Sequence, residues 1–381
     1  MPKSIMIIAG EPSADMHGAA LARQLKMSHP ELKISGIGGA QMRNAGVETF
    51  ADLTQYAVIG FIEILKHYPI FKQTFELTIQ QIKKEQPLAV ILIDYPGFNL
   101  RLAKRIKQNI PHIKIIYYIS PQIWAWGKKR IVLIKKTIDK LLVVFKFEEI
   151  LYKNNGVDAE FVGHPLLEKF TNVKDKSAVL NSINLNIKDK IICLLPGSRI
   201  NEVNKLLPIM LNAARLLQKN MPEVKFLLIK ALNIKPEIIQ QITLSYPDLN
   251  LQIIDNNTYD FINASTFAWV CSGTATLETA ILGIPMLIVY KTSFFTWFIS
   301  KILIQLPFIG LVNIVAGKKI IPEFIQYQAR PANLFKASID FFSLTHQKQD
   351  NIRKELSKVR ENLGTSDANK NAAKAIEVLI N

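Results

Sequence analysis

The chain has 381 residues, 49% hydrophobic and 20% charged, which excludes a disordered polymer and suits two ordinary domains rather than one small core. Its 47 Lys and Arg against 31 Asp and Glu leave a formal charge of +16, a field that attracts nucleic acid, anionic lipid or a phosphorylated substrate without choosing among them. Two cysteines, Cys193 and Cys271, each inside an apolar run, exclude a disulfide framework and read as small buried residues of a reducing compartment.

Ser4 to Gly10 (SIMIIAG) reads as a first buried strand rather than a secretory leader. It runs into Glu11-Pro12-Ser13-Ala14-Asp15-Met16-His17-Gly18, read as a turn, and then into a helical pattern from Ala19. Open α/β sheets bind ligands outside the C-terminal ends of their strands, so Gly10, Glu11, Ser13, Asp15 and His17 are candidate site residues. The alternative for Asp15 is a plain helix cap. Lys33 to Gly39 (KISGIGG) reads as a second strand, without the full spacing of a dinucleotide fingerprint. Ala57 to Phe75 carries more large apolar residues than one buried helix face uses. It reads as a helix pair packed on the sheet, or more sharply as an acyl-chain or membrane contact edged by Lys66 and Lys72.

Leu88 to Ile93 is a further buried strand, ending in Asp94-Tyr95-Pro96-Gly97-Phe98-Asn99; Asp94 is the carboxylate best placed to act as a base, with a structural loop acid as the alternative. The strand IKIIYYI ends in a loop from Ser120 to Arg130, where Ser120, Gln122 and Trp124 are candidate contacts for an acyl sugar phosphate, with the two tryptophans as core residues the alternative. From Tyr95 to Ile138 there is no acid at all, while ten Lys and Arg fall there. The polar segment from Thr171 to Lys190 marks the boundary between a first domain, 1–168, and a second, 169–364. Residues 365–381, after the hinge-like Gly364-Thr365-Ser366, are expected to cross back and complete the first domain.

In the second domain the strand IICLLP leads to Gly197-Ser198-Arg199 and a helix from about Asn201. Phe267 to Tyr290 (FAWVCSGTATLETAILGIPMLIVY) reads as strand, turn, helix, strand, with Ser272, Gly273, Thr274, Ala275 and Thr276 at the helix start and Glu278 within reach of a ribose. A strand feeding a helix through small hydroxylated residues leaves backbone N–H groups free for a phosphate, and the alternative is an ordinary βαβ corner whose Ser and Thr only cap the helix. Asn313, Gly317, Glu323 and Gln326 add a polar set to this half. Phe294 to Val312 is broken by Lys301, Gln305 and Pro307, which argues against a spanning helix and for a soluble or peripheral protein. The alternation predicts two doubly wound α/β domains facing across a cleft. Two helix N-termini and one arginine can hold a diphosphate without a metal. No cluster has metal-ligand spacing, no Walker motif or G-x-S-x-G elbow occurs, and no cofactor is expected.

The motifs AGEPSADMHGA, IDYPGFNLRLAKRI, YYISPQIWAW, FVGHPL, LLPGSR with Glu202, SGTATLE and NIVAGKKIIPEFIQ, in that order over nearly the whole chain, closely resemble the lipid-A-disaccharide synthase family. The resemblance implies a GT-B glycosyltransferase at the cytoplasmic face of the inner membrane of a Gram-negative bacterium. It implies transfer of 2,3-diacylglucosamine from its UDP derivative to 2,3-diacylglucosamine 1-phosphate. In that frame Asp94 is the first choice of base, with Glu11 and Asp15 as alternatives. Arg199 with the N–H groups near Ser198 and Thr274 to Thr276 would stabilise departing UDP, Glu278 would hold the ribose, and Asn313 and Gln326 would complete the donor side. Many members carry a second Asp where this chain has Gly97, and commonly Gly where it has Ala14, so a role tied to position 97 does not carry over. A UDP-sugar epimerase or a transferase with a soluble acceptor is the alternative on the same scaffold. An RNA-associated protein is disfavoured because no aromatic-basic RNA motif is present.

Overall fold

Parallel strands covered on both faces are near-continuous runs of aliphatic residues, and that pattern sets both sheets of this protein. The computed structural model describes residues 3–56, 67–124, 127, 130–292, 297 and 307–380. The chain forms two compact units, Met1–Glu168 with Leu363–Asn381, and Lys169–Asn362.

The first unit holds seven parallel strands in the order β3-β2-β1-β4-β5-β6-β7. They are β1 Ser4–Ala9, β2 Lys33–Ile37, β3 Glu48–Ala51, β4 Ala89–Ile93, β5 Lys114–Tyr118, β6 Lys140–Val143 and β7 Ala159–Phe161. The strand order reverses between β1 and β4, whose register pairs Ile5 with Ala89 and Ala9 with Ile93. Helices α1 (Pro12–Ser28), α2 (Ala40–Asn44), α3 (Tyr68–Glu85), α4 (Pro96–Asn109), α5 (Arg130–Thr137) and α6 (Lys146–Lys153) connect them. Helix α1 starts earlier than expected. Pro12 at its first position has the φ a helix needs and no N–H to lose, so Ser13, Asp15 and His17 stand in the first turns of α1 rather than in a loop.

The second unit holds six parallel strands in the order β10-β9-β8-β11-β12-β13, reversing between β8 and β11. They are β8 Ile191–Leu195, β9 Lys225–Ile229, β10 Leu251–Ile254, β11 Phe267–Cys271, β12 Met286–Tyr290 and β13 Glu323–Ile325. Its helices include α7 (Lys176–Asn181), α8 (Ile200–Asn220), α9 (Pro236–Thr243), α10 (Thr258–Ala264), α11 (Thr274–Ile281) and α12 (Leu311–Ala316). Trp269 on β11 is wholly buried and donates its indole N–H to Ser338 Oγ at 3.0 Å, so its one polar atom is satisfied in the core. Cys193 and Cys271 are free and buried.

The last helix, Ala368–Ile380, packs against α1 in the first unit, and Asn369 on it accepts from the buried Tyr118 hydroxyl at 3.1 Å. Residues 57–66 of the apolar stretch, the part on which the lipid-contact reading rests most, lie outside the described residues, as do 294–296 and 298–306 of the later one. The described remainder of the first stretch is largely occupied, since Ile70, Phe71 and Phe75 pack against the core. Among the described residues no helix is long and apolar enough to cross a membrane.

Candidate functional site

In both sheets the strand order reverses once, at β1/β4 and at β8/β11, the position at which open α/β sheets leave a crevice for ligands. In the second unit this crevice is a cavity of about 410 Å³, lined by Gly197, Ser198, Arg199 and Glu202 from the β8 exit and by Ser272 to Ala275 from the β11 exit. Tyr259 and Glu278 complete one wall, and Lys230 follows β9 into it.

The β8 exit is built around Gly197, whose φ of +116° lies where L side chains are strained and where a Cβ would come within 2.5 Å of Glu202 Oε2. Glu202 accepts the Ser198 and Arg199 N–H groups, both at 3.2 Å, and caps α8. It also takes Arg199 Nη1 at 2.9 Å, yet the Arg199 side chain is 80% exposed, and a guanidinium held at one nitrogen keeps its other donors for an anion. Asn233 Nδ2 donates to Ser198 O at 2.6 Å and fixes the turn from the other side.

At the β11 exit Gly273 has a φ of +147° and open space where a side chain would stand, so another group can approach the backbone closely. Helix α11 begins at the next residue and directs its first-turn N–H groups to the cavity edge. Thr276 is fully buried and donates to Gly273 O at 2.8 Å, which braces the turn from beneath rather than lining the cavity. Ser272 Oγ is spent on Ile309 O at 2.9 Å. Glu278 accepts the Tyr259 hydroxyl at 3.0 Å, and burial raises both its carboxyl pKa and, well beyond its usual range, the phenol's.

Asn313, Glu323, Gln326 and Gly317 are not among the cavity lining. Asn313 is fully buried and uses its whole amide internally: Nδ2 donates to Ile321 O and Glu323 Oε1, both at 2.8 Å, and Oδ1 accepts Ile320 N and Ile321 N at 2.9 and 3.0 Å. Glu323 accepts the Ile309 and Gly310 N–H groups, Gln326 accepts that of Thr292, and Gly317 ends α12 at φ +67°. An irregular backbone must satisfy its polar groups, and these side chains do so. Because Ile309 also receives the Ser272 hydroxyl, the network supports the β11 exit from behind.

In the first unit Gly10 and Asp94 leave β1 and β4 side by side. A Cβ on Gly10 would lie 2.5 Å from the Tyr95 ring, so the two exits pack only through glycine. Asp94 and Tyr95 are consecutive non-glycine residues in the left-handed region, at φ +46° and +48°, a strained arrangement of the kind found at functional sites. Three contacts hold it: Asp94 N donates to Tyr118 O at 3.1 Å, and Asp94 O accepts the Tyr117 hydroxyl at 2.5 Å and Asn99 Nδ2 at 2.7 Å. The backbone is thus pinned independently of the carboxylate, whose pKa is raised by burial and lowered less by the Tyr95 N–H. Glu11 stands near enough to Tyr95 for its charge to raise the phenol pKa, after the larger effect of burial. Asp15 is otherwise employed, accepting the Gly39, Gln41 and Met42 N–H groups at 2.7, 3.0 and 3.1 Å and so capping α2. Ser13 is exposed on the first turn of α1, and His17 is half-buried on the second.

Ser120 is buried and Gln122 exposed, while Trp124 donates its indole N–H to Glu148 Oε1 at 2.8 Å and stands edge-on to Phe145 and Phe147. Glu148 is 1% exposed, and desolvation pushes its carboxyl from 4.5 up to about 7. Between those values the unfolded chain has released a proton that the folded chain keeps, so this group's contribution to stability falls as pH rises from about 4.5 to about 7. Glu148→Gln, which still accepts from Trp124, is expected to flatten that part of the stability curve, on the order of 3 kcal/mol. Urea unfolding of both proteins from pH 5 to pH 8 measures it, and parallel curves would place the titration elsewhere.

Lys230 and Tyr259 line the cavity although neither stands out in the sequence. Lys230 is the polar residue that ends the apolar run KFLLIK, and Tyr259 lies in the polar NNTYDFINAST segment that reads as a connector.

Comparison with known proteins places these features in context. The family described as lipid-A-disaccharide synthetase matches residues 5–378. Lipid-A-disaccharide synthase 1 of Legionella pneumophila (strain Lens) is 43% identical over 364 residues, covering 96% of this chain and 94% of its own. The lipid-A-disaccharide synthase of Coxiella burnetii (strain CbuK_Q154) is 39% identical over 378 residues, covering 99% of each. Among solved structures, the UDP-GlcNAc 2-epimerase from Neisseria meningitidis bound to UDP-GlcNAc superposes with a TM-score of 0.62 at 12% identity, over 99% of this chain and 100% of that one. The glycotransferase of kitacinnamycin does so with a TM-score of 0.64 at 12% identity, over 100% of each. At such identities the superpositions show a shared GT-B fold.

Proposed function

Because the chain belongs to the lipid-A-disaccharide synthase family, and is therefore a glycosyltransferase of lipid A biosynthesis, we propose the following reaction for it. A 2,3-diacylglucosamine unit passes from its UDP derivative to the 6-hydroxyl of 2,3-diacylglucosamine 1-phosphate. The products are the β-1′,6-linked tetraacyl disaccharide 1-phosphate and UDP. The observation that carries the nucleotide's placement is the cavity of the second unit, where an exposed arginine and two helix starts converge from the β8 and β11 exits.

The acceptor oxygen attacks C1 of the donor sugar from the face opposite the diphosphate. As the C1–oxygen bond to UDP breaks, negative charge develops on the leaving diphosphate. Arg199 and the N–H groups at the starts of α8 and α11 stabilise that charge without a metal, since charge-assisted hydrogen bonds from fixed donors gain strength as charge develops. Glu278 accepts from the ribose hydroxyls. Asp94 takes the acceptor's proton, a role supported by a backbone pinned apart from its carboxylate and by burial that raises its pKa toward a base's working range. The acid-free basic segment from Tyr95 to Ile138 attracts the acceptor phosphate and the anionic lipid of the inner membrane's cytoplasmic face.

Release of UDP separates this reading from its rival on the same fold. With chelator present, the acylated donor is expected to yield UDP only when the acylated acceptor is added, and UDP-N-acetylglucosamine to yield none. Turnover of UDP-N-acetylglucosamine alone would identify an epimerase or a transferase with a soluble acceptor instead.

A further inference from the structure

One cation in the cavity of the second unit has no role in the reaction described above. Lys230 lines the cavity directly after β9 and is 8% exposed. Its backbone N–H is satisfied by Ile254 O at 2.8 Å, while among the described residues its ammonium reaches Ile234 O alone, at 3.5 Å. A lysine is almost never buried this deeply without a counter-charge. The two carboxylates that line the cavity are engaged elsewhere, Glu202 with Arg199 and the backbone and Glu278 with Tyr259. The cavity wall therefore holds one largely buried lysine whose three donors meet, among the described residues, a single distant carbonyl.

We infer that Lys230 is an anion-binding residue that makes this cavity select a nucleoside diphosphate over the bare nucleoside. The inference rests on the placement of the nucleotide in this cavity. Lys230 and Arg199 would divide the task by position. Arg199 stands at the exposed rim and can follow a leaving group outward, whereas Lys230 is a fixed point charge inside the cavity wall. A phosphate seated there supplies the counter-charge that the described residues do not.

Calorimetric titration of the full chain with UDP and with uridine tests this. Lys230→Met keeps an unbranched apolar stem of similar length and removes the ammonium. It is expected to weaken UDP binding by about tenfold or more and to leave uridine binding within about twofold, with Lys230→Arg restoring part of the UDP affinity. Unchanged UDP affinity in Lys230→Met overturns the inference while leaving the nucleotide site in place. A parallel loss of UDP and uridine binding also overturns it, because it shows a cavity deformed rather than discharged. Native protein that binds neither ligand overturns the nucleotide site itself and the role of Lys230 with it.

Discussion

Asp94→Asn is expected to lower the transfer rate by about a thousandfold or more while leaving UDP affinity within about twofold. The substitution is a clean one here. The strained backbone at Asp94 and Tyr95 is held through main-chain atoms of residue 94, by Tyr118 O, the Tyr117 hydroxyl and Asn99 Nδ2, and none of these contacts uses the carboxylate. Asparagine also tolerates the left-handed region better than most residues, so the turn is expected to persist. What disappears is the carboxylate of that turn, the group proposed to accept the proton. In the native enzyme a matching signature is expected if Asp94 is the base: kcat/KM falls as pH drops through the raised pKa of Asp94, at a higher pH than an ordinary aspartate would give. Near-normal turnover of Asp94→Asn would transfer the role to Glu11, the other carboxylate at these two exits. Asp15 is less suited, since both its oxygens cap α2.

Arg199→Ala is expected to slow transfer by roughly a hundredfold to a thousandfold and to weaken UDP binding. The fold should survive it. The ion pair with Glu202 is exposed on the arginine side, where such pairs contribute little, and Glu202 keeps its bonds to the Ser198 and Arg199 N–H groups when the side chain is removed. The loss therefore reports on charge at the diphosphate rather than on the turn. Arg199→Lys is expected to recover only part of the rate, because an ammonium lacks the planar fork that binds a phosphate through two nitrogens. Unchanged single-turnover rates in Arg199→Ala would remove it from the leaving-group site.

The central strands were legible because they are apolar runs, as in SIMIIAG, LAVILI and FAWVC, and their exits followed from the alternation of strand and helix, whereas the short edge strands β3 (ETFA) and β13 (EFI) carry no such run and were not legible as strands. The cavity residues Gly197 to Arg199, Ser272 to Ala275 and Glu278 were legible for the same reason, since they directly follow β8 and β11. Less legible was the employment of polar side chains, because their partners are distant in sequence. Asp15 looks like a site carboxylate until its acceptor atoms meet Gly39, Gln41 and Met42. Asn313 and Glu323 look like ligand contacts until they turn out to satisfy each other and the backbone from Ile309 to Ile321. Lys230 and Tyr259 are the converse case, ordinary in the sequence and brought to the cavity by strand order.

The identity of the sugar product tests the central claim most directly. Purified full-length protein should be given UDP-2,3-diacylglucosamine and 2,3-diacylglucosamine 1-phosphate in the presence of chelator, and the lipid product examined by mass spectrometry and proton NMR. The expected product is a tetraacyl disaccharide 1-phosphate with a β linkage from C1′ to O6, formed in step with UDP. An α linkage, or UDP released with free diacylglucosamine and no disaccharide, would contradict it.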